Sequence, residues 1–422
     1  MKVFIFILIL FFYSFASASQ LEDYQKVKCI VHIHTDISSG TRPLESYVKE
    51  AKEKGIAAIV LTDDDWQRWE FGVPPLRRLI KKVVAKKSVM TFGIEKYLNL
   101  IQNINEKYKD IVVIDGVETN PFYFWTGNFF KGTLALNNRN KDMLVIGLGN
   151  ANDYRNMPLV VNYKSRFDAY HGDKFTEPYQ DLIDYVVKRR GLIFWSHPEY
   201  EENTVEDGIN LITVPYQWDL VGTYNYTGFG IFWEGYREAG KPLGLWDRVL
   251  TEYCQGKRKL PIWAIGELEE EGLGDKNLDD VVNVVLLKNL NRQEVLDAVK
   301  KGRFYVTFKE FDRVPLVLEE FTVSDESGTK VATVGEEISF LGDPIIKIRI
   351  SHERPIDKNI TLKLIRNNEI IKEFTSQSQM EIEYKDEQLP QNQKYYYRLD
   401  VTSENISQLI SNPIFFRKTS KE

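Results

Sequence analysis

Two histidines near the beginning of the chain have the spacing of a metal site. His32 and His34 follow the predicted strand VKCIV (27–31). Because side chains two residues apart on a strand point to the same face, both imidazoles are predicted to face one site. The chain has 5 histidines in all, and imidazole is a ligand for zinc, manganese or iron. The pair therefore indicates a metal site.

Further metal-type side chains follow the ends of later predicted strands. These are Asp63 and Asp64 after IAAIVL (56–61), Glu118 after IVVI (111–114), His197 after LIFW (192–195), and the run Glu267–Glu271 after PIWAIG (261–266). In α/β barrels the active site lies at the carboxyl ends of the strands. The set therefore predicts one mouth at which these groups meet.

The elements that would position this mouth are apolar strands alternating with helices. Helical spacing predicts helices over 43–55, 176–191 and 243–254. The strands are mostly continuous apolar runs, which is typical of strands buried on both faces of a parallel sheet. A closed or nearly closed α/β barrel is expected, with an open doubly wound sheet as the alternative. No glycine-rich phosphate loop follows a strand, which disfavours a nucleotide-binding open sheet.

The last part of the chain has a different pattern. From about Pro315, segments such as IKIRIS and KYYYRLDVTS alternate apolar and polar residues, and Arg366–Glu369 has the composition of a hairpin turn. This predicts a C-terminal antiparallel, Ig-like β-sandwich over 315–418, after an α/β barrel over 25–312. The sandwich contains no catalytic constellation, so its predicted role is packing or binding.

The ordered motifs resemble the PHP (polymerase and histidinol phosphatase) superfamily, and most closely its CehA/McbA-like branch of secreted metallohydrolases. The resemblance covers about Lys28 to Phe308. It is carried by the order HIHTDISSG, KGIAAIVLTDD, IDGVE, IFWSHPE and AIGELEE, followed by NRQEVLDAVKKGRFYVTF. It implies a distorted seven-stranded (β/α) barrel that holds a metal cluster and hydrolyses phosphate or carboxylate esters.

The resemblance also assigns roles to individual residues. His32 and His34 would bind the first metal, Glu118 would bridge two metals, and His197 would bind the second. Asp63 belongs to the family's Thr-Asp-His motif, and Asp142 and Glu269 fall near further ligand positions. The predicted metal ligands are thus His32, His34, Asp63, Glu118, Asp142, His197 and Glu269.

The chain departs from the family pattern at several of these positions. The family has Asp at Ser39, His at Asp64, His near Asp142, and an Asp-x-His ending where this chain has Glu269 and Glu270. The choice between Glu269 and Glu270 as ligand stays open. Carboxylates still bind hard cations, so one or two divalent ions (Zn, Mn or Fe) are expected. Asp64 or Glu270 is predicted to orient a metal-activated water or to protonate the leaving group.

The first residues have the pattern of an export signal. Lys2 precedes the apolar run VFIFILILFFYSF, and Ala16–Ala18 resembles a cleavage site. Residues 1–18 are therefore predicted to be a signal peptide, with the mature protein periplasmic or secreted and without a stable membrane span. Cys29 and Cys254 are either two isolated thiols or, in an oxidising compartment, one disulfide.

Composition limits the class of partner. The formal net charge is −6, so a nucleic-acid partner is not expected, and a small-molecule ester or phosphoester is the predicted substrate. The basic run 77–87 is predicted to form a helix with a solvated outer face, an anionic-surface contact being the alternative. Aromatic residues between Tyr216 and Phe229 are predicted to cross over the mouth and line a substrate site.

Two functions are consistent with these residues. The first is an active, exported metal-dependent hydrolase, which the intact histidines and Glu118 favour. The second is a degenerate barrel that serves as an exported binding module with reduced metal binding, which the departures from the family pattern favour. A carbohydrate-active protein with an accessory sandwich is a third alternative, supported only by the aromatic segment.

Overall fold

The computed structural model describes residues 24–420 apart from 74, 78, 275, 311, 312, 405 and 406. The predicted signal peptide, residues 1–18, lies outside the described residues. The chain is a mixed α/β protein with a sheet-rich C-terminal region. None of the helices within the described residues is both long and apolar enough to cross a lipid bilayer.

The described residues form eight α-helices, and the longer ones bury apolar side chains at helical spacing. They are α1 (Leu44–Glu53), α2 (Val89–Phe92), α3 (Ile94–Lys107), α4 (Ala151–Arg155), α5 (Glu177–Lys188), α6 (Asp219–Gly222), α7 (Leu245–Cys254) and α8 (Arg292–Lys300). In α1 the buried residues are Leu44, Tyr47, Val48 and Ala51, one face of a 3.6-residue repeat. The predicted helices over 43–55, 176–191 and 243–254 correspond to α1, α5 and α7.

The N-terminal part contains parallel strands interrupted by hairpins. Its strands are β1 (Gln25–Ile33), β2 (Ile56–Leu61), β3 (Arg68–Gly72), β4 (Lys81–Ala85), β5 (Val112–Ile114), β6 (Gly116–Thr119), β7 (Phe124–Thr126), β8 (Ala135–Asn137), β9 (Met143–Ile146), β10 (Leu192–Trp195), β11 (Glu202–Glu206), β12 (Ile209–Thr213), β13 (Gly228–Gly230), β14 (Trp263–Ile265), β15 (Val281–Leu287) and β16 (Phe304–Lys309). Strands β1, β2 and β5 are parallel neighbours, as are β10, β13 and β14. Strand β9 runs antiparallel to both β6 and β10.

Hydrogen bonds between strand ends bring the predicted site segments together. The backbone N–H of His34 donates to the carbonyl of Glu270 (2.9 Å), and the N–H of Glu270 donates to the carbonyl of His32 (3.1 Å). On the other side, the N–H of Glu118 donates to the carbonyl of Thr62 (3.1 Å). The ends of β1, β2, β6 and β14 therefore meet at one edge.

One sequence-based expectation for this part is wrong. Residues 81–85 form β4 rather than a helix, and β4 pairs with β3 in an antiparallel hairpin. The apolar spacing in 77–87 suits a helix, but cross-strand pairing with 68–72 decides the conformation, as tertiary context often does.

The C-terminal part is built mostly of antiparallel strands, with one parallel pair, 337–340 against 415–418. They are β17 (Leu316–Ser324), β18 (Val331–Thr333), β19 (Glu337–Phe340), β20 (Ile345–His352), β21 (Asn359–Arg366), β22 (Glu369–Gln377), β23 (Gln379–Lys385), β24 (Lys394–Ser403), β25 (Ser407–Ser411) and β26 (Ile414–Lys418). Strands β18, β17, β20 and β23 form one sheet. The others continue the N-terminal sheet, because β25 pairs with β16, which also pairs with β15. The domain boundaries at 312 and 315 stay a prediction.

The two cysteines do not form a disulfide. Cys29 is buried in β1, and Cys254 is partly buried at the end of α7. Cys254 lies close to Lys394 and Glu337 of the C-terminal part. Burial raises the pKa of the Cys29 thiol to about 12, which leaves it protonated at neutral pH.

Candidate metal centre

Three buried imidazoles surround the carboxylate of Glu118. Nε2 of His32 lies 3.2 Å from Oε1, Nε2 of His197 lies 3.1 Å from the same oxygen, and Nε2 of His34 lies 3.5 Å from Oε2. Each of the four side chains is at most 9% exposed. The same ring nitrogen of every histidine thus faces one acidic group.

Irregular backbone at the strand ends aims these side chains. His32 has a φ of 71°, and the pairing of β1 with β2 shifts register between Val31 and Ile33. His197, just after β10, has a φ of 24°. In a regular strand, His32 and His34 would share a face. They do converge, with ring centroids 5.1 Å apart, but the strand is bulged between them.

The other ring nitrogen of each histidine contacts a polar group that orients it. The Tyr216 hydroxyl donates to the carbonyl of Ser196 (2.7 Å) and lies 2.9 Å from Nδ1 of His197. A hydroxyl that already donates to a carbonyl can accept a hydrogen bond from Nδ1–H of His197. With the proton on Nδ1, the lone pair on Nε2 is free to bind a metal.

His34 and His32 follow the same arrangement. Nδ1 of His34 lies 3.0 Å from the Ser39 hydroxyl and 3.5 Å from Oδ2 of Asp64. Nδ1 of His32 lies 3.4 Å from the hydroxyl of Ser196 and 3.7 Å from Oε1 of Glu267. Oriented imidazoles of this kind are the usual surroundings of metal ligands.

These side chains fit a divalent cation. Ligand atoms of His32, His34 and Glu118 all lie within 4.8 Å of one another, and so do those of Glu118, Asp142 and His197. Nε2 of His32 is buried without a hydrogen bond of normal geometry. Neutral imidazole and carboxylate together suit zinc, manganese or iron. Glu118 belongs to both groups, so it is placed to bridge two ions.

The charges of the centre compensate one another through protons when no metal is bound. Burial lowers the pKa of His34, but the hydrogen bond with Asp64 and the charges of Asp64 and Glu118 outweigh it and raise that pKa to about 10. Burial alone would raise the pKa of Glu118, yet the charge of His32 and the hydrogen bond with His197 hold it well below its usual value. A metal ion would replace these protons.

The predicted carboxylates occupy different places. Asp142 lies 3.9 Å from Nε2 of His197, and burial together with the charge of Glu118 raises its pKa well above the usual range. Asp63 is fully buried, and its Oδ1 accepts from the backbone N–H of Thr35 (2.7 Å) and the Ser38 hydroxyl (2.7 Å). Asp63 therefore holds the turn after His34 and is in neither ligand group.

The candidate catalytic carboxylates also lie in different places. Asp64 lines the cavity above Glu118, and its Oδ1 accepts from Nε2 of Gln67 (2.6 Å). Glu269 lines the same cavity, and its Oε2 lies 3.5 Å from Nζ of Lys276. Glu270 is buried, and its Oε1 accepts from the N–H of Gly272 (2.8 Å), so it supports the adjoining turn.

Two further residues belong to the centre: Glu267, which the sequence indicates only as a member of the acidic run after β14, and Tyr216, which it does not assign to the centre. Glu267 is buried, accepts from the N–H of His197 (2.9 Å), and has a pKa raised to about 6 by burial. It stands first in a run of acidic residues, and the run itself was the available signal. Tyr216 was expected to line substrate, and nothing in its spacing pairs it with His197.

The cavity at the centre encloses about 210 Å³. Its aromatic lining comes from Trp66, Trp69, Tyr123 and Tyr200 rather than from the segment 216–229. In that segment Tyr216, Tyr226 and Phe229 are buried, whereas Trp218 and Tyr224 are exposed. The expectation that the segment lines the substrate site is wrong, because none of its residues lines this cavity. His171 is exposed and paired with Asp168 (2.6 Å).

A family comparison agrees with this geometry. Residues 31–207 match the PHP domain model. The matched segment includes His32, His34, Glu118 and His197, and the CehA/McbA-like branch stays a prediction. No curated protein matches the chain significantly.

Two solved structures are similar to the chain at low identity. One, from Bacteroides vulgatus, is a two-domain protein containing a predicted PHP-like metal-dependent phosphoesterase; it is 14% identical, with 89% of this chain and 91% of that chain covered and a TM-score of 0.40. The other, from Bifidobacterium adolescentis, is described as a candidate metal-dependent phosphoesterase; it is 12% identical, with 64% and 94% covered and a TM-score of 0.30.

Proposed function

We propose that this protein is a metal-dependent hydrolase of phosphoester or carboxyl ester bonds. The observation that carries the proposal is the convergence of Nε2 atoms from His32, His34 and His197 on the carboxylate of Glu118. Imidazoles oriented through Nδ1 towards one shared carboxylate are arranged for metal binding rather than for packing. The match of residues 31–207 to the PHP domain model supports the same function.

We also propose that the parallel strands, together with the antiparallel strand β9, form a distorted seven-stranded barrel. Strands β1, β2, β5 with β6, β9, β10, β13 and β14 are linked in turn, and the segment after β14 returns to β1 through Leu268, whose N–H donates to the carbonyl of Val31 (2.9 Å). A barrel of this kind places all strand ends around one mouth. The C-terminal strands would form a sandwich of two sheets packed against it.

The chemistry assigned to the centre is hydrolysis by water. A bound dication would supply an acidified water and polarise the scissile group. In this chain, His32, His34 and Glu118 would hold one ion, and Glu118, Asp142 and His197 would hold another. Asp64 would orient the water or pass a proton to the leaving group, a role that its position in the lining of the cavity supports.

We further propose that the protein is exported and acts on a small molecule. The N-terminal pattern of Lys2 and the following apolar run supports export. The cavity of about 210 Å³ suits a small substrate rather than a polymer. The net charge of −6 gives no support for a nucleic-acid partner.

The test is metal analysis followed by an ester assay. Protein purified without chelators is analysed for zinc, manganese and iron, then assayed with bis(p-nitrophenyl) phosphate, p-nitrophenyl phosphate and p-nitrophenyl acetate. We expect bound metal and turnover of one ester class, with turnover reduced about 100-fold or more in Asp64→Asn. Asp36→Asn, an exposed carboxylate nearby, is the matched control and should keep full activity.

The alternative function is an exported binding module. It is favoured by Ser39 and Asp64, which stand where the related pattern has an acid and a histidine. In that case the protein would bind metal weakly and turn over none of the three esters. Absence of metal from protein that is correctly folded would remove the basis for both the hydrolase and its proposed ligands.

A further inference from the structure

An apolar groove adjoins the metal cavity. It lies between the β3–β4 hairpin and the sheet of β7, β8 and β12, and its apolar lining consists of Trp69, Phe71, Val84, Trp125, Leu136, Ile209 and Leu211. The groove encloses about 70 Å³. Trp69 and Arg139 line both the groove and the metal cavity, so these side chains form the boundary that the two spaces share.

The walls of the groove are fixed by strand pairing. Trp69 lies opposite Val84 in the hairpin, and Phe71 lies opposite Lys82. Since residues alternate across a strand, these four side chains share the face that turns towards the groove. The opposite wall is more deeply buried, with Leu136 only 3% and Leu211 only 5% exposed.

Both apolar and charged residues line the groove. The indole N–H of Trp125 donates to the carbonyl of Glu70 (2.9 Å), and the ring packs edge-on against Phe71 at a centroid distance of 5.1 Å. The charged lining residues, besides Arg139, are Lys82, Lys86, Glu206 and Asp207. The ring faces and aliphatic carbons of the remaining lining are suited to an aromatic or branched alkyl group.

The cations of the metal cavity are neutralised by nearby carboxylates. Nη2 of Arg139 donates to Oε1 of Glu202 (2.6 Å) and its Nε to Oε2 (2.9 Å). Nη2 of Arg68 donates to Glu70 (3.0 Å). The same cavity is lined by Glu269 and Glu271. Apart from bound metal, the lining thus offers little net positive charge to an anionic substrate.

From these observations we infer that the substrate is an ester carrying an aromatic or branched apolar group, which occupies the groove beyond Trp69 while the ester lies at the metal cavity. The inference rests on the proposed function, because it uses the metal centre to fix the ester. Binding energy would come from the apolar group, since the arginines are already paired. A phenyl ring that loses roughly 60 Å² of apolar surface to the groove would bind about tenfold more tightly than a methyl group.

The experiment compares two phosphonates, which resist hydrolysis, on the metal-loaded protein. Methylphosphonate probes the metal cavity alone, and benzylphosphonate probes the cavity and the groove. Calorimetry is expected to give benzylphosphonate an affinity about tenfold higher. Equal affinities would overturn the groove while leaving the metal centre intact. Failure of both phosphonates to bind metal-loaded protein would instead contradict the proposed function.

Variants of the hairpin locate the effect. Val84→Asp places a charge opposite Trp69, and we expect it to reduce the benzylphosphonate preference to within about twofold of methylphosphonate. Val83→Asp is the matched control, because Val83 is the adjacent residue on the other face of β4 and is similarly exposed (41% against 39%). Val84→Trp, which obstructs the groove without a charge, is the second variant. An unchanged preference in both Val84 variants would overturn the assignment of the groove.

Discussion

Replacing Glu118 by glutamine keeps the shape of the side chain and removes the charge that the three imidazoles face. Oε1 of Glu118 lies within 3.2 Å of two imidazole nitrogens, and Oε2 lies 3.5 Å from a third. Because Glu118 belongs to both ligand groups, each proposed ion loses one of its three protein ligands in Glu118→Gln.

The expected loss of metal affinity can be estimated by comparison with residues that orient a metal ligand without binding the metal. Residues that only orient a ligand typically change metal affinity by about 10–100-fold. A direct ligand should change it by at least about 100-fold for each ion, or about 2.7 kcal/mol. We expect Glu118→Gln to purify with little metal and to bind added zinc or manganese at least about 100-fold more weakly by calorimetry.

The control is Glu201→Gln, which makes the same chemical change at an exposed position and should bind metal like the wild type. Circular dichroism would show that both variants are folded. Metal content and affinity in Glu118→Gln within about threefold of the wild type would refute the bridging role. The three imidazoles would then be an ionic cluster that serves only structure.

Three further predictions concern protons, orientation and stability. The pKa of His34 is raised to about 10 in the metal-free protein, so metal binding near pH 7 should release protons and become stronger as the pH rises from 6 to 8. Calorimetry in buffers of different ionisation enthalpy measures the number of protons released, and an uptake of protons would contradict the prediction. Tyr216→Phe removes the hydroxyl at Nδ1 of His197 and should weaken metal binding by roughly tenfold. The control Tyr224→Phe, at a half-exposed ring, should leave metal affinity unchanged. Equal metal affinities of Tyr216→Phe and the wild type would show that His197 needs no orienting partner. Oδ1 of the fully buried Asp247 lies 2.6 Å from Nε of Arg398. Arg398→Met leaves this carboxylate without its cation and should lower the free energy of unfolding, measured in urea, by about 3–5 kcal/mol. Recovery of stability when Asp247→Leu is added would support this cause, and an unchanged urea midpoint for Arg398→Met alone would exclude it.

The sequence predicts the strands and helices that carry strong local patterns. The runs 56–61 and 192–195 coincide with β2 and β10 because strands buried on both faces leave an unambiguous apolar stretch. The helix predicted over 77–87 is wrong because the apolar spacing of this run also suits a helix, and only its pairing with 68–72 reveals a hairpin. That pairing is a long-range property that local spacing does not encode.

Within the candidate site, residue types were easier to predict than their final contacts. The histidines and Glu118 are marked by their positions at strand ends. The choice between Glu269 and Glu270, which the sequence leaves open, depends on the direction in which the chain turns after β14, and Glu269 has a φ of 51° there. The backbone conformation at a single residue decides which carboxylate is buried beside His197. The alternation of side chains along a strand does not predict that conformation.

The junction between the two parts of the chain bears on how the molecule can be divided. Strand β16 uses one edge for β15 and the other for β25. A chain shortened before the C-terminal strands would leave the β16 edge, with its buried Tyr305 and Val306, open to water and to other chains. The C-terminal strands therefore cover the edge of a sheet that begins next to the histidines, and we expect the stability of the proposed metal centre to depend on residues 407–411, far along the chain from His197.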